Sequence, residues 1–350
     1  MSKKLKDEAR AASEPPKRKV LAVVDIGGSS ITLEFRWQDQ PFEKDEKNLP
    51  LKLKRFCRLS QSISKTGKIC EEGRVCALET LREVNQQISA LKKQGYEVQV
   101  KAIGTAPFRD ASNGKAVAQK LIKKSGIDLK VISGEEEARL VALGALAVLG
   151  DEAKNFSGII IDTGGGSSEF ALIENGEIKD VASLPLGNLR IKTLEDTKAQ
   201  QAFISQHLAT LPESFRRHDL PVVLSGGGNR ALIRAFKKAY RDLALHPAWL
   251  QSASMKEIFD YSQSLGFAAK FNNVTPAKLA EALGIKEERI EILSEISLLI
   301  GHLRSELGYQ QVRLLKSTTR DGLRAQTLMK ISDALPAQRP SASESVPVAA

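Results

Sequence analysis

Two short segments of this chain are near copies of each other. Val23-Val24-Asp25-Ile26-Gly27-Gly28-Ser29-Ser30 recurs 137 positions later as Ile160-Ile161-Asp162-Thr163-Gly164-Gly165-Gly166-Ser167-Ser168, each time closing one apolar strand and opening another. A strand that ends in Asp-x-Gly-Gly and turns straight back predicts a tight hairpin with outward-pointing backbone N–H groups, which glycine lets anionic oxygens approach closely. Ser29, Ser30, Ser167 and Ser168 add hydroxyl donors, and Asp25 and Asp162 suit a hydrated Mg²⁺ or a water. One such loop reads most simply as a Gly-Ser turn. Two matched copies so far apart imply two related domains facing each other across an anion site.

The rest of the chain is consistent with that plan. Short β-branched runs at 20–24, 30–37, 52–57, 97–103, 128–132, 158–161, 168–173, 178–184, 221–224 and 311–315 alternate with helical periodicity at 72–94, 135–149, 229–243 and 288–307. The pattern is that of α/β layers, not a bundle or an all-β sandwich. It divides into α/β domains at 20–138 and 139–332, with the last helix free to return to the first domain. Residues 1–19, charged and carrying Pro15-Pro16, and 333–350, rich in Pro, Ser and Ala, read as unstructured tails.

Composition excludes several classes. With 42% hydrophobic residues and 27% charged, the chain is not intrinsically disordered, and no apolar run approaches the roughly 20 residues of a membrane-spanning helix. Three cysteines, Cys57, Cys70 and Cys76, with no Cys-x-x-Cys pair, read as reduced thiols of a cytoplasmic protein. The net charge of +10 is partly carried by the N-terminal tail. It therefore points only weakly to nucleic acid, which is not an expected partner. Lys52, Lys54, Arg55, Arg58, Lys65 and Lys68 are candidates for a track along a polyanion, though basic residues on a strand edge are more often an ordinary guard against edge pairing. His218-Asp219, the one His-Asp pair, has no metal-ligand set around it and reads as a solvated loop.

A third glycine run, Leu224-Ser225-Gly226-Gly227-Gly228-Asn229-Arg230, ends a strand and opens a helix, where N-terminal N–H groups favour an anion or a nucleotide phosphate. Together, the two Asp-x-Gly strands and this loop resemble the actin, Hsp70 and sugar kinase superfamily. Three further segments are similar to the exopolyphosphatase and guanosine pentaphosphate phosphohydrolase (Ppx/GppA) family. They are Thr105, Arg109, Ala111 and Asn113; Ser133, Gly134, Glu136, Glu137, Ala138, Arg139 and Leu140; and Asp162, Gly164, Gly165, Gly166, Ser167 and Glu169.

The resemblance implies two ribonuclease H-like domains flanking a cleft, and hydrolysis of a phosphoanhydride of polyphosphate or of pppGpp, the guanosine alarmone of the stringent response. It implies Glu137 as catalytic base, Asp162 and Glu169 as ligands of Mg²⁺ with Asp25 as a third candidate, and Arg109 as a phosphate-binding arginine. Phosphate would further be held by Gly27, Gly28, Ser29, Ser30, Gly164, Gly165, Gly166 and Ser167, and phosphate or nucleotide by Gly226, Gly227 and Gly228. A homodimer is compatible with the resemblance, and a membrane partner is not expected. Sequence physics alone does not choose among Glu135, Glu136 and Glu137, since three acids at a helix start also complement the helix dipole. Two departures stand out: the first loop lacks the family's Asn, and Gly228-Asn229 replaces its Ser-Gly-Thr. Competing readings are a non-catalytic alarmone or polyphosphate sensor and, with less support, an ATP-dependent sugar or acetate kinase.

Overall fold

The computed structural model describes residues 18–38, 52–239, 249–254, 275–309 and 311–334. The expected tails fall outside these, except that the first strand already begins at Lys19 and the last helix runs to Ala334.

Each half is built on one sheet. The first contains β1 (Lys19–Ile26), β2 (Ile31–Trp37), β3 (Leu53–Arg55), β4 (Glu97–Gly104) and β5 (Leu129–Val131), in the order β3-β2-β1-β4-β5. The second contains β6 (Gly158–Thr163), β7 (Ser168–Glu174), β8 (Glu177–Leu184), β9 (Val222–Ser225), β10 (Trp249–Ser254) and β11 (Gln311–Leu315), in the order β10-β11-β9-β6-β7-β8. Read from the other edge, the second sheet repeats the first and adds β10. In both, three antiparallel strands are followed by parallel neighbours, β1 with β4 and β6 with β9. This is the ribonuclease H-like arrangement, present twice.

Strand β1 shows why the sequence folds this way. It is central, and its side chains alternate between two cores: Val20, Ala22, Val24 and Ile26 face one, Leu21 and Val23 the other. A run apolar at every position is what a strand covered on both faces requires. The first core is closed by α1 (Ile63–Thr66), α2 (Glu71–Lys93), α3 (Ala106–Asp110) and α4 (Gly114–Ser125). Each fully buried Val, Leu or Ile there contributes about 1.5–3 kcal/mol.

Helix α5 (Gly134–Leu149) runs between the sheets and serves both. Leu140 joins Leu21, Val23, Ile103 and Ile132, while Val141, Ala142, Ala145 and Leu149 join Ile160, Ala171, Ile173 and Val223. The boundary at 138/139 therefore falls inside a helix shared by both layers. Beyond β8 lie α6 (Asn188–Lys192), α7 (Thr197–Leu208), α8 (Gly227–Ala239), α9 (Pro276–Leu283), α10 (Glu287–Ile290), α11 (Leu293–Leu307) and α12 (Thr319–Ala334). Helix α12 packs along α5 and against β1, with Leu323 in the core of the first sheet.

Three expectations change. The helix expected over 288–307 breaks near Ile292, so α10 can turn Arg289 toward the interior while α11 buries Ile296, Leu299, Ile300 and Leu303. Strand β10 went unpredicted because Trp249–Ser254 carries no β-branched residue; the last part of the helix expected over 229–243 lies outside the described residues. Finally, Cys57 and Cys76 form a disulfide and only Cys70 is free. Their spacing of 19 residues shows nothing in sequence, but β3 and α2 bring their Cα atoms to 5.4 Å. The reduced-thiol argument for a cytoplasmic protein falls with it. Among the described residues no helix is long and apolar enough to cross a membrane.

Candidate active site

The β1–β2 and β6–β7 hairpins meet tip to tip between the sheets. Each is closed by the same bond, Gly27 N to Ser30 O at 3.1 Å and Gly164 N to Ser167 O at 2.9 Å. Each is also tethered from outside. Ser60 N and Arg58 N donate to the carbonyls of Gly28 and Ser29, and Asn188 N and Leu189 N to those of Gly164 and Gly165, at 3.0–3.1 Å. With these carbonyls engaged on the outer side, the amides of Gly28, Ser29, Gly165 and Gly166 donate to no backbone carbonyl among the described residues. They line the cleft together with Ser30 and Ser167. A Cβ on Gly28 would lie 2.6 Å from Gly166 N, and one on Gly165 2.6 Å from Ser29 N, so only glycine permits this approach.

Three buried carboxylates face the tips. Asp162 and Glu169 are direct cross-strand partners and share one face of the second sheet. Glu169 accepts from Ser183 Oγ at 3.0 Å. Glu137 enters from the first turn of α5, whose Ser133 cap takes the Glu136 amide at 3.0 Å. The structure thereby separates the three neighbouring acids. Glu135 is exposed, Glu136 pairs with Lys130 at 2.6 Å, and Glu137 alone is buried in the cleft.

Arg109 Nη1 donates to Glu137 Oε2 at 2.8 Å and to Ile132 O at 3.0 Å. Burial raises Glu137 to about 7, against the pull of Arg109 and with the help of Asp25 and Asp162. Burial also pushes Glu169 well up, reinforced by Glu137, and raises Asp162 despite Arg230. Three buried acids lining one cleft thus hold one another toward the protonated form.

A cationic wall stands opposite. Arg230 donates to Ser317 O at 3.1 Å, and Arg289 and Lys54 flank the Phe56 ring at 5.3 and 5.1 Å. Desolvation in the cleft and the guanidiniums of Arg289 and Arg320 push Lys54 down to about 7. Crowded cations of this kind call for an anion.

The sequence matches the Ppx/GppA phosphatase family over residues 42–331. The chain belongs to that family. Among curated Ppx/GppA relatives, it is 24% identical over 271 residues to "Exopolyphosphatase 1" of Mycobacterium tuberculosis and of Mycobacterium bovis, covering 76% of each chain. Among solved structures, it resembles an exopolyphosphatase from Cytophaga hutchinsonii at 18% identity, covering 89% of this chain and 98% of that one with a TM-score of 0.70. It resembles the Aquifex aeolicus Ppx/GppA family member over the same shares at 18% identity and a TM-score of 0.62.

Most residues singled out in the sequence converge on the cleft of this Ppx/GppA fold: Asp25, Gly27 to Ser30, Glu137, Asp162, Gly164 to Ser167, Glu169, Gly226 and Gly227 all line it. Others sit differently. Gly228 packs on Ile296 behind the wall. Asp25 is held by Arg320 Nη1 at 3.0 Å, which gives its carboxylate a cation from the chain itself. Arg109 reaches the cleft through Glu137 rather than through its floor. Asn113 clamps the backbone of Ile69 by two hydrogen bonds of 2.9 and 3.0 Å.

The basic track breaks up. Only Lys54 of the six residues lines the cleft, while Lys52 pairs with Glu34, Arg55 with Glu83 and Arg58 with Glu291. Missed altogether were Arg289, Arg320 and Asn188. The first two stand in ordinary charged helix starts, Glu-Glu-Arg and Thr-Thr-Arg-Asp, and only the fold turns them inward. Asn188 is buried, lines the cleft, and leaves Oδ1 without a partner among the described residues.

Proposed function

We propose that this chain hydrolyses a terminal phosphoanhydride of inorganic polyphosphate, with pppGpp as a second substrate. The observation that carries the reading is the meeting of two amide-lined hairpins in front of a buried carboxylate that is poised to take a proton. The terminal phosphoryl group binds between Gly27–Ser30 and Gly164–Ser167, where amides and hydroxyls meet its oxygens. Water attacks phosphorus, its proton passes to Glu137, the bridging P–O bond breaks, and the shortened chain leaves with the bonding pair. Arg109 holds Oε2 of Glu137, which leaves Oε1 for the water and fixes the carboxylate's direction.

Asp162 and Glu169 suit a hydrated Mg²⁺. They are adjacent, buried and both raised in pKa, and this ion takes one or two carboxylates and completes its shell with water and substrate phosphates. No cluster of three or more ligating side chains occurs among the described residues, which is compatible with such a partly protein-built shell. Bound there, Mg²⁺ would neutralise negative charge on the phosphates. Lys54, Arg230 and Arg289 then face phosphates further from the reacting end. The third glycine loop beside them supports pppGpp as the second substrate.

The test is orthophosphate release from polyphosphate and from pppGpp by the full chain, with Mg²⁺ and with EDTA. Mg²⁺-dependent release without any alcohol acceptor is expected. Tight binding of either ligand without release would make the protein a sensor, and release only with an acceptor would make it a kinase.

A further inference from the structure

A second cavity lies behind Arg109. It is lined by Arg109, Asp110, Gly134, Ser167, Ser183, Leu184, Pro185 and Arg190, and shares Ser167 with the main cleft. The guanidinium of Arg109 forms the partition. Nη1 is fixed on Glu137, at the cleft, whereas Nη2 lies 3.7 Å from the position of a Cβ on Gly134, in the wall of the second cavity.

On the far side, Arg190 of α6 pairs with Asp110 of α3, a contact between the two halves. The Nε of Arg190 is buried and has no partner among the described residues. Two guanidiniums, one with an unused donor, thus converge beside the reacting centre in a cavity whose lining includes none of Lys54, Arg230 and Arg289. The single acid there, Asp110, already has its cation.

We propose that this cavity binds inorganic phosphate and is the route by which orthophosphate leaves. The proposal rests on the reading that the main cleft hydrolyses a phosphoanhydride. After cleavage, the freed phosphate lies next to Ser167 and Arg109, with the remaining chain filling the front of the cleft. Passing Arg109, it takes Asp110's place on Arg190, and the Arg190–Asp110 pair opens as it departs. A planar guanidinium that can exchange one oxyanion for another suits the step, since both partners meet the same fork of donors.

Two measurements on the full chain decide it. The first is equilibrium binding of ³²P-orthophosphate in EDTA, with and without saturating tripolyphosphate. Orthophosphate is expected to remain bound when tripolyphosphate is present, and to bind about tenfold more weakly to Arg190→Ala, the loss of one charged hydrogen bond. Asp110→Ala, which removes the ion pair between the halves but leaves the guanidinium, should keep or tighten orthophosphate binding, whereas a merely structural role for Arg190 would weaken it. Displacement of orthophosphate by tripolyphosphate, or unchanged binding by Arg190→Ala, would overturn the proposal.

The second is product inhibition. Orthophosphate should lower Vmax without raising KM for polyphosphate, because the two occupy different sites; purely competitive inhibition would overturn the exit route. Pro185→Trp, which crowds the mouth, should slow steady-state turnover and leave single-turnover cleavage unchanged. An equal loss in both would count against the route. A protein that releases no phosphate from any substrate would overturn the hydrolase reading, with the binding measurement still deciding the site.

Discussion

In each half, seven positions beyond the leading aspartate, the next strand presents the residue that faces it: Thr32 opposite Asp25 in the first sheet, Glu169 opposite Asp162 in the second. The hairpin between has the same length and the same closing bond, and each has two neighbouring carbonyls tethered from outside, those of Gly28 and Ser29 in the first and those of Gly164 and Gly165, one position earlier, in the second. The charge differs. Asp25 stands singly and receives Arg320, which also reaches Glu34 at 3.2 Å. Asp162 and Glu169 stand together, and both are forced toward their protonated forms by burial. One backbone device thus serves two purposes: the first hairpin offers donors with its carboxylate in an ion pair with Arg320, and the second offers donors plus an acidic pair that burial raises despite the nearby guanidiniums. Glu137, from the helix between the sheets, belongs to the acidic side.

The largest effect should come from the residue that makes the second side reactive. Glu137→Gln keeps size and the contact with Arg109 but cannot accept a proton, and turnover should fall roughly 10²–10⁴-fold with polyphosphate binding retained. Glu135→Gln, on the exposed face, should change little. Equal losses would return Glu137 to the role of a helix-start acid. In the pH profile, the base works only when ionised, so kcat/KM should decline as pH falls through about 7 and the limb should vanish in Glu137→Gln.

Stability has the opposite sign. A carboxyl whose folded pKa lies above its unfolded one favours the native state at low pH and loses that contribution as pH rises from the ordinary carboxylate range through about 7. Glu137→Gln should therefore gain in Tm relative to the unsubstituted protein between pH 5 and pH 8, by an amount read directly from paired thermal melts.

The facing position gives the next largest contrast. Glu169→Gln should cost roughly ten- to hundredfold in rate and displace the Mg²⁺ dependence to higher concentration, as loss of metal-site support does. Thr32→Ala, at the matching place in the first sheet, should cost no more than about threefold, the scale of one weak neutral hydrogen bond, and leave the Mg²⁺ dependence alone. A shift in the Mg²⁺ midpoint for Thr32→Ala would show that the first hairpin carries metal after all, with Asp25 released from Arg320.

The duplication was legible because its signals are local. Asp-x-Gly-Gly, apolar runs and serines sit within one hairpin each, and ten of the eleven strands follow from period and punctuation. The acidic half of the site was legible for the same reason, once Glu169 was read with Asp162. The cationic half was not. Arg230 adjoins the third glycine loop, but Arg289 and Arg320 become cleft residues only through the bend before α11 and the return of α12 onto β1. The disulfide was hidden likewise, because pairing depends on which turn of α2 meets the chain leaving β3. A charged residue in a helix start looks the same whether it faces solvent or a phosphate.

The smallest contrast tests whether the two halves must touch. At the tips the requirement for glycine is mutual: a Cβ on Gly28 would sit 2.5 Å from Ser60 Oγ and 2.6 Å from Gly166 N, and one on Gly165 would strike Ser29. At Gly27, a Cβ would meet Ser30 O at 3.6 Å, Asp25 Oδ1 at 3.9 Å and Thr105 Oγ1 at 4.0 Å, all ordinary contacts. Gly28→Ala or Gly165→Ala should hold the hairpins apart, so that one phosphoryl group cannot meet both sets of amides. KM for polyphosphate should then rise about tenfold, equivalent to about 1.4 kcal/mol, with Tm nearly unchanged because neither tip lies in a core. Gly27→Ala should leave KM within about twofold, since ordinary van der Waals contact displaces nothing. The double change Gly28→Ala with Gly165→Ala should cost little more than either alone, because the first methyl already separates the tips and the second has nothing left to break. Fully additive losses would mean that each hairpin grips phosphate independently, and that the contact seen between them plays no part in binding.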